Sequence, residues 1–98
     1  MALDLHDMAD AVHDEESFLE FMSQLCADWE EEREIEAIKP SSPYSAGALG
    51  WENGSIGAFL DAAAAWGTAS INGMEAYKKP DNPWRRAAHI LHAGKFYE

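Results

Sequence analysis

The feature that most constrains the fold is an apolar stripe with helical spacing in residues 15–36. Its large side chains lie three or four positions apart, with polar residues between them: Phe18, Phe21, Met22, Leu25 and Trp29. This spacing predicts an amphipathic helix. Asp14 is a suitable N-cap. The stripe stops where acidic residues crowd together, so we expect the helix to end between Glu32 and Ile38.

Two further helices are predicted, and prolines and glycines separate the three. The second starts near Asn53 or Ser55 and runs to about residue 69, after a loop in residues 39–50. The third has Asn82 as N-cap and a proline at its first position. The sequence therefore predicts one domain, residues 1–98, folded as an all-α bundle of three principal helices at approximately 14–36, 53–69 and 82–97. The first 13 residues fit a short additional helix or a flexible end.

The charge is strongly negative and unevenly distributed along the chain. The net charge is -11; residues 1–36 hold 13 acidic residues and one base, for a local net charge of -12. Residues 78–98 hold five bases and two acids, for a local net charge of +3. Nucleic-acid binding depends largely on neutralising phosphates, which this chain is poorly equipped to do. A basic protein is the expected partner, and we expect no nucleic-acid ligand.

The single cysteine and the lack of long apolar runs bear on the compartment. Cys26 has no second cysteine for an intramolecular disulfide, which is typical of a reducing environment, and we expect it to pack in the core. The N-terminus lacks the basic and apolar runs of a signal peptide, and no stretch approaches the length of a membrane span. We therefore expect a cytoplasmic protein with no membrane interaction.

No sequence motif indicates catalysis or cofactor binding. Nucleophile-elbow, phosphate-loop, dinucleotide-binding and zinc-protease patterns are all missing. Four residues near the N-terminus could share a helix face but match no known metal-ligand spacing: His6, Asp10, His13 and Asp14. His89 and His92 are expected at a surface or boundary. We therefore predict no catalytic, cofactor-binding or metal-binding residue, no cofactor and no enzyme activity.

The most specific feature is a combination of short motifs rich in Trp, Asn and Tyr. They are Trp51-Glu52-Asn53, Phe59-Leu60, Ala65-Trp66, Asn82-Pro83-Trp84, and Ala93 with Tyr97-Glu98. Over residues 14–98 this combination resembles a family of small uncharacterised bacterial helical domains. The resemblance implies a bacterial origin and a compact helical domain, and it implies no activity.

These motifs have an architectural and a functional interpretation. In the first, each Trp covers a helix start that the nearby Asn caps. In the second, the residues form the rim of one recognition surface, because Trp and Tyr are frequent in interface hot spots. The candidate interaction residues, with two acidic residues of the first long helix added, are Trp51, Glu52, Asn53, Asn82, Trp84, Tyr97, Glu31 and Glu34.

Three hypotheses for function follow. The leading one is a non-catalytic protein-binding module, a stoichiometric partner of a basic protein like the immunity proteins that neutralise bacterial toxins. The alternative is a structural domain that self-associates through an aromatic patch, so both monomer and homodimer stay open. The third is a metal-binding protein or hydrolase. We also expect Trp66 to be mostly buried, and most acids off the apolar stripe to be exposed: Glu20, Asp28, Glu30, Glu31, Glu32, Glu34 and Glu36.

Overall fold

The computed structural model describes residues 4–97, which contain helices and no β-strand. The four helices are α1 (Leu5–Ala11), α2 (Glu15–Ile38), α3 (Ile56–Ala69) and α4 (Pro83–Gly94). The all-α prediction is confirmed, and the short N-terminal helix is present. The three long helices begin and end within three residues of the predicted bounds. None of these four helices is long and apolar enough to cross a lipid bilayer.

The starts of α2 and α4 are fixed by the predicted caps. The Asp14 carboxylate accepts a hydrogen bond from the Ser17 amide at 2.8 Å, and the Ser17 hydroxyl accepts one from the Asp14 amide at 3.1 Å. The Ser17 hydroxyl also donates to the Asp14 carboxylate at 2.6 Å, and this bond, together with the one from the Ser17 amide, lowers the pKa of Asp14. The Asn82 side chain accepts from the amides of Trp84 and Arg85 at 2.9 and 3.1 Å. In both helices, the capping side chain accepts hydrogen bonds from backbone amides that have no partner within the helix.

Helix α4 is the centre of the fold, because α1, α2 and α3 all pack against it. A Cβ atom added to Gly94 would lie 2.8 Å from the Phe59 ring, so the glycine permits the close approach of α3 to α4. Among the described helices, α3 packs only against α4. The main buried apolar cluster comes from α1, α2, α4 and the connections next to them: Ala9, Val12, Phe21, Leu25, Trp51 and Ala88. Helix α3 packs Phe59 against this cluster and buries Ala62 and Ala63.

Trp66 is largely buried, with well under half of its surface exposed, as predicted. Its ring packs edge-to-face on Tyr77 with centroids 4.8 Å apart, and the Arg86 guanidinium lies 5.4 Å from its centroid. Arg86 also donates to the Gly67 carbonyl at 2.9 Å and to the Ser70 hydroxyl at 2.8 Å. The ring stays partly accessible because, within residues 4–97, no helix covers the outer side of α3.

Candidate binding surface

Three carboxylates spaced four residues apart on α2 hold the connection between α2 and α3. Glu32 is 0% exposed and accepts hydrogen bonds from the backbone amides of Leu49 at 2.8 Å and Trp51 at 3.2 Å. It also pairs with the guanidinium of Arg33. Glu36 accepts from the amide and hydroxyl of Ser41 at 2.8 and 3.1 Å. A buried carboxylate must be paired, so the bonds from Leu49, Trp51 and Arg33 make Glu32 a structural anchor.

The third carboxylate, Asp28, joins the indole of Trp51 to α4. It accepts from Trp51 Nε1 at 2.9 Å and from Lys95 Nζ at 2.8 Å. Asp28 and Glu36 are half-buried. Asp28, Glu32 and Glu36 are therefore exceptions to the prediction that most of these acids are exposed, because the connection folds back over their side of the helix.

The prediction is confirmed for the remaining acids of this run. Glu20, Glu30, Glu31 and Glu34 are exposed. Glu31 lines a polar cleft between α1, α2 and α4, together with Asp4 and His92. Glu30 lies on the other side of α2, within 3.9 Å of the Cys26 sulfur. The exposed acids therefore cover more than one side of the helix.

The Trp-Glu-Asn motif closes the C-terminal end of α4 and does not cap α3. Asn53 donates to the carbonyls of Gly94 and Tyr97, both at 3.0 Å. The side chain that caps α3 is Ser55, which accepts from the Ala58 amide at 3.1 Å. Asn53 was predicted to cap the start of α3, but it caps the end of α4, so that prediction was wrong. A side-chain amide can serve either end, because it both donates and accepts.

Trp51 is the buried centre of this region, at 8% exposure. Its ring packs edge-to-face on Trp29, with centroids 5.1 Å apart, and lies 6.1 Å from the ring of Phe59. Glu52 follows it with an exposed side chain, while the Glu52 amide donates to the Lys95 carbonyl at 3.0 Å. The ring of Trp51 thus joins α2, α3 and the end of α4.

The other candidate residues are divided between the two ends of α4. At its start, Asn82 also donates to the His13 carbonyl at 2.9 Å, and the Trp84 ring, 38% exposed, packs on Phe18 at 5.5 Å. Tyr97 is half-buried beyond its other end. A helix of 12 residues is about 18 Å long, so the structure does not bring the Trp51 and Trp84 motifs together.

A groove of about 470 Å³ between α2 and α3 is lined mainly by apolar side chains. Met22 and Cys26 form one wall, and Ile56 and Leu60 form the other. Its lining consists of Met22, Leu25, Cys26, Trp29, Trp51, Asn53, Gly54, Ser55, Ile56, Phe59 and Leu60. Cys26 is exposed here, so the prediction that it packs in the core was wrong. Four residues of the sequence motifs line this groove, Trp51, Asn53, Phe59 and Leu60, but the sequence did not predict that they face a recess between two helices.

The charged residues that neighbour the groove lining include exposed acids, as well as bases that are paired within the fold. Glu30, Glu52 and Asp61 are exposed sequence neighbours of lining residues. Arg33 stacks over Trp29 at 4.2 Å and pairs with Glu32. Lys95, which lies 5.6 Å from the Trp51 ring centroid, pairs with Asp28. The nearby cations are thus already neutralised by inner carboxylates.

The histidines form a second polar region around α1 and α4. Asp10 lies 2.7 Å from His89 Nε2 and 3.4 Å from His6 Nε2. Burial lowers the pKa of His92 to about 4, and Lys95 and His6 act in the same direction. Burial also lowers the pKa of His89, although the bond with Asp10 opposes this. Residues 4–97 contain no group of three His, Cys, Asp or Glu side chains arranged to hold a metal ion.

Residues 14–98 match a family of unknown function (DUF7660). The chain belongs to this family. The matched region contains α2, α3 and α4, and so includes both walls of the groove, whereas α1 precedes it. Neither a curated protein nor a solved structure matches the chain significantly.

Proposed function

We propose that this family member is a non-catalytic module that binds a basic protein partner in the cytoplasm, in the manner of an immunity protein. The observation that carries the proposal is the set of exposed carboxylates on α2. Glu31 and Glu34 are in no ion pair among residues 4–97, whereas Asp28 and Glu32 are paired within the fold. The outer acids therefore add to the negative potential without holding the fold together.

An acidic surface of this kind acts mainly on the rate of association. Residues 1–36 hold 13 acids and one base, so they attract a basic partner over a distance that decreases as the salt concentration rises. Charges at the edge of an interface change the association rate more than the dissociation rate. The proposal therefore predicts a partner whose binding slows steeply as the ionic strength rises.

The test uses a purified basic protein encoded by a gene next to the one for this chain. We expect the double variant Glu31→Gln/Glu34→Gln to associate more slowly, by about threefold to tenfold at low salt, with a flatter dependence on ionic strength. The dissociation rate should change less. Identical association rates and identical salt slopes for the double variant and the wild type would refute steering by these residues.

Self-association is the second candidate, and the exposed apolar groove favours it. Ile56 and Leu60 are 81% and 58% exposed, and a second copy could cover them. Light scattering over a range of protein concentrations separates the candidates. A dimer in which the groove is covered would favour a self-associating domain, and a monomer at every concentration would favour a hetero-partner.

A further inference from the structure

The exposed face of α3 is the strongest sign of a missing neighbour in the described part of the chain. Asp61 is the only charged residue among the 14 of this helix, yet α3 packs only against α4. Its outer face presents Ile56 and Leu60, one helical turn apart. Helices of such low charge are usually buried on more than one side. An apolar face left open in this way is typical of an interaction site.

The space beside this face has the form of a helix-binding groove. Along their described lengths, α2 and α3 do not pack against each other, so the space between them stays open. Each wall carries apolar side chains four residues apart, Met22 with Cys26 and Ile56 with Leu60. Side chains with this spacing form ridges along a helix, and another helix packs its own ridges between them.

The floor of the groove is aromatic and fixed in position. It is formed by Trp29, Trp51 and Phe59, and the Trp51 indole is held by its bond to Asp28. Buried aromatic side chains supply most of the binding energy in many interfaces. Because the floor is already packed and hydrogen-bonded, a ligand does not need to order it.

The charge around the groove determines what kind of helix fits. Glu30, Glu52 and Asp61 are exposed and each follows a lining residue in the sequence, and Glu30 lies 3.9 Å from the Cys26 sulfur in the lining. The cations near the floor, Arg33 and Lys95, are paired with inner carboxylates. A second copy would bring the same acids together and would add another net charge of -11. A basic segment would instead be attracted to them.

We propose that the groove between α2 and α3 binds a cationic amphipathic helix, whose apolar side lies on Trp29, Trp51 and Phe59 and whose Lys or Arg side chains face Glu30, Glu52 and Asp61. This assignment rests on the proposed function, and it specifies the part of the basic partner that is bound. It is the helix-in-groove mode of recognition, in which apolar side chains at positions i, i+3, i+4 and i+7 serve as anchors.

The experiment uses a designed amphipathic peptide of Leu and Lys, about 18 residues or five turns long. A second peptide of the same composition has its residues rearranged so that no apolar side forms. Binding to the full chain is measured by fluorescence anisotropy of the labelled peptides. Cys26 is the only cysteine and lines the groove, so its rate of alkylation reports occupancy. We expect the amphipathic peptide alone to slow alkylation, by about tenfold at saturation.

Two matched pairs of variants locate the site. Leu60→Gln should weaken the binding of the amphipathic peptide by about tenfold, while Leu19→Gln should change it by less than about twofold. Leu19 is 53% exposed, close to the 58% of Leu60, but it does not line the groove. Glu30→Gln should likewise weaken binding more than Glu31→Gln, because Glu31 lines the cleft on the other side of α2.

Three results would overturn the assignment. Equal protection of Cys26 by the rearranged peptide would show that charge alone attracts the ligand. Equal effects of Leu60→Gln and Leu19→Gln would remove the groove from the site. Protection of Cys26 that rises with protein concentration without any peptide would make a second copy the occupant. If the first or second result occurred while Glu31→Gln/Glu34→Gln still slowed association with the basic protein, the groove assignment alone would fail.

Discussion

The two sides of α2 carry acidic residues that look alike in the sequence and have different roles in the structure. Asp28 and Glu32 accept hydrogen bonds from the connection that precedes α3, whereas Glu30, Glu31 and Glu34 are exposed. The inner acids stabilise the fold through specific bonds. The outer acids repel one another and raise the free energy of the compact state. A high density of acids therefore does not by itself indicate a binding face, because the side of the helix decides the role of each residue.

The largest effect that tests this difference is expected at Glu32. Glu32→Ala should lower the free energy of unfolding by about 3 to 5 kcal/mol, because it leaves the amides of Leu49 and Trp51 without their buried acceptor. Glu31→Ala is the matched control, and its effect should stay within about 0.5 kcal/mol. Urea unfolding measures both values. Similar losses of stability in the two variants would abolish the distinction between inner and outer acids.

A smaller effect is expected at Gly47, which faces the same carboxylate across the connection. A Cβ atom added there would overlap the Glu32 side chain, so Gly47→Ala should destabilise the protein by about 1 to 3 kcal/mol. Gly57→Ala is the control, because nothing lies within 4 Å of the added atom, and it should be neutral or stabilising by up to about 1 kcal/mol. The measurement is the midpoint of thermal unfolding. A tolerated Gly47→Ala would mean that Glu32 has room to move and does not anchor the connection.

Much of the fold could be predicted because the relevant signals are local. The apolar spacing in residues 15–36 and the caps Asp14 and Asn82 each act over one or two helical turns, and the structure confirms them. The end of α4 was predicted three residues too late, at 97 instead of 94, because Asn53 closes that end from a distant part of the chain. Contacts between distant residues leave no periodic pattern in the sequence.

The candidate binding surface was less predictable for the same reason. The exposure of Glu31 and Glu34 could be inferred from their distance from the apolar stripe. The burial of Glu32 could not, since it depends on the connection that folds over α2 and on the space left by Gly47. The groove also depends on which helices pack together. Helix α3 has the composition of a buried helix, yet Leu60 is exposed because, among the described helices, α3 packs against α4 alone.

The smallest expected effect concerns the stability of the variant with two outer acids neutralised. Glu31→Gln/Glu34→Gln should leave the free energy of unfolding unchanged or raise it by a few tenths of a kcal/mol at low salt, because it removes repulsion and breaks no ion pair among the described residues. Added salt should reduce any gain, since it already screens the exposed charges. Urea unfolding at low and high ionic strength measures both effects. A loss above about 1 kcal/mol would give these acids a structural role and remove the contrast with Glu32. Unchanged stability, together with slower association, would assign them to binding alone.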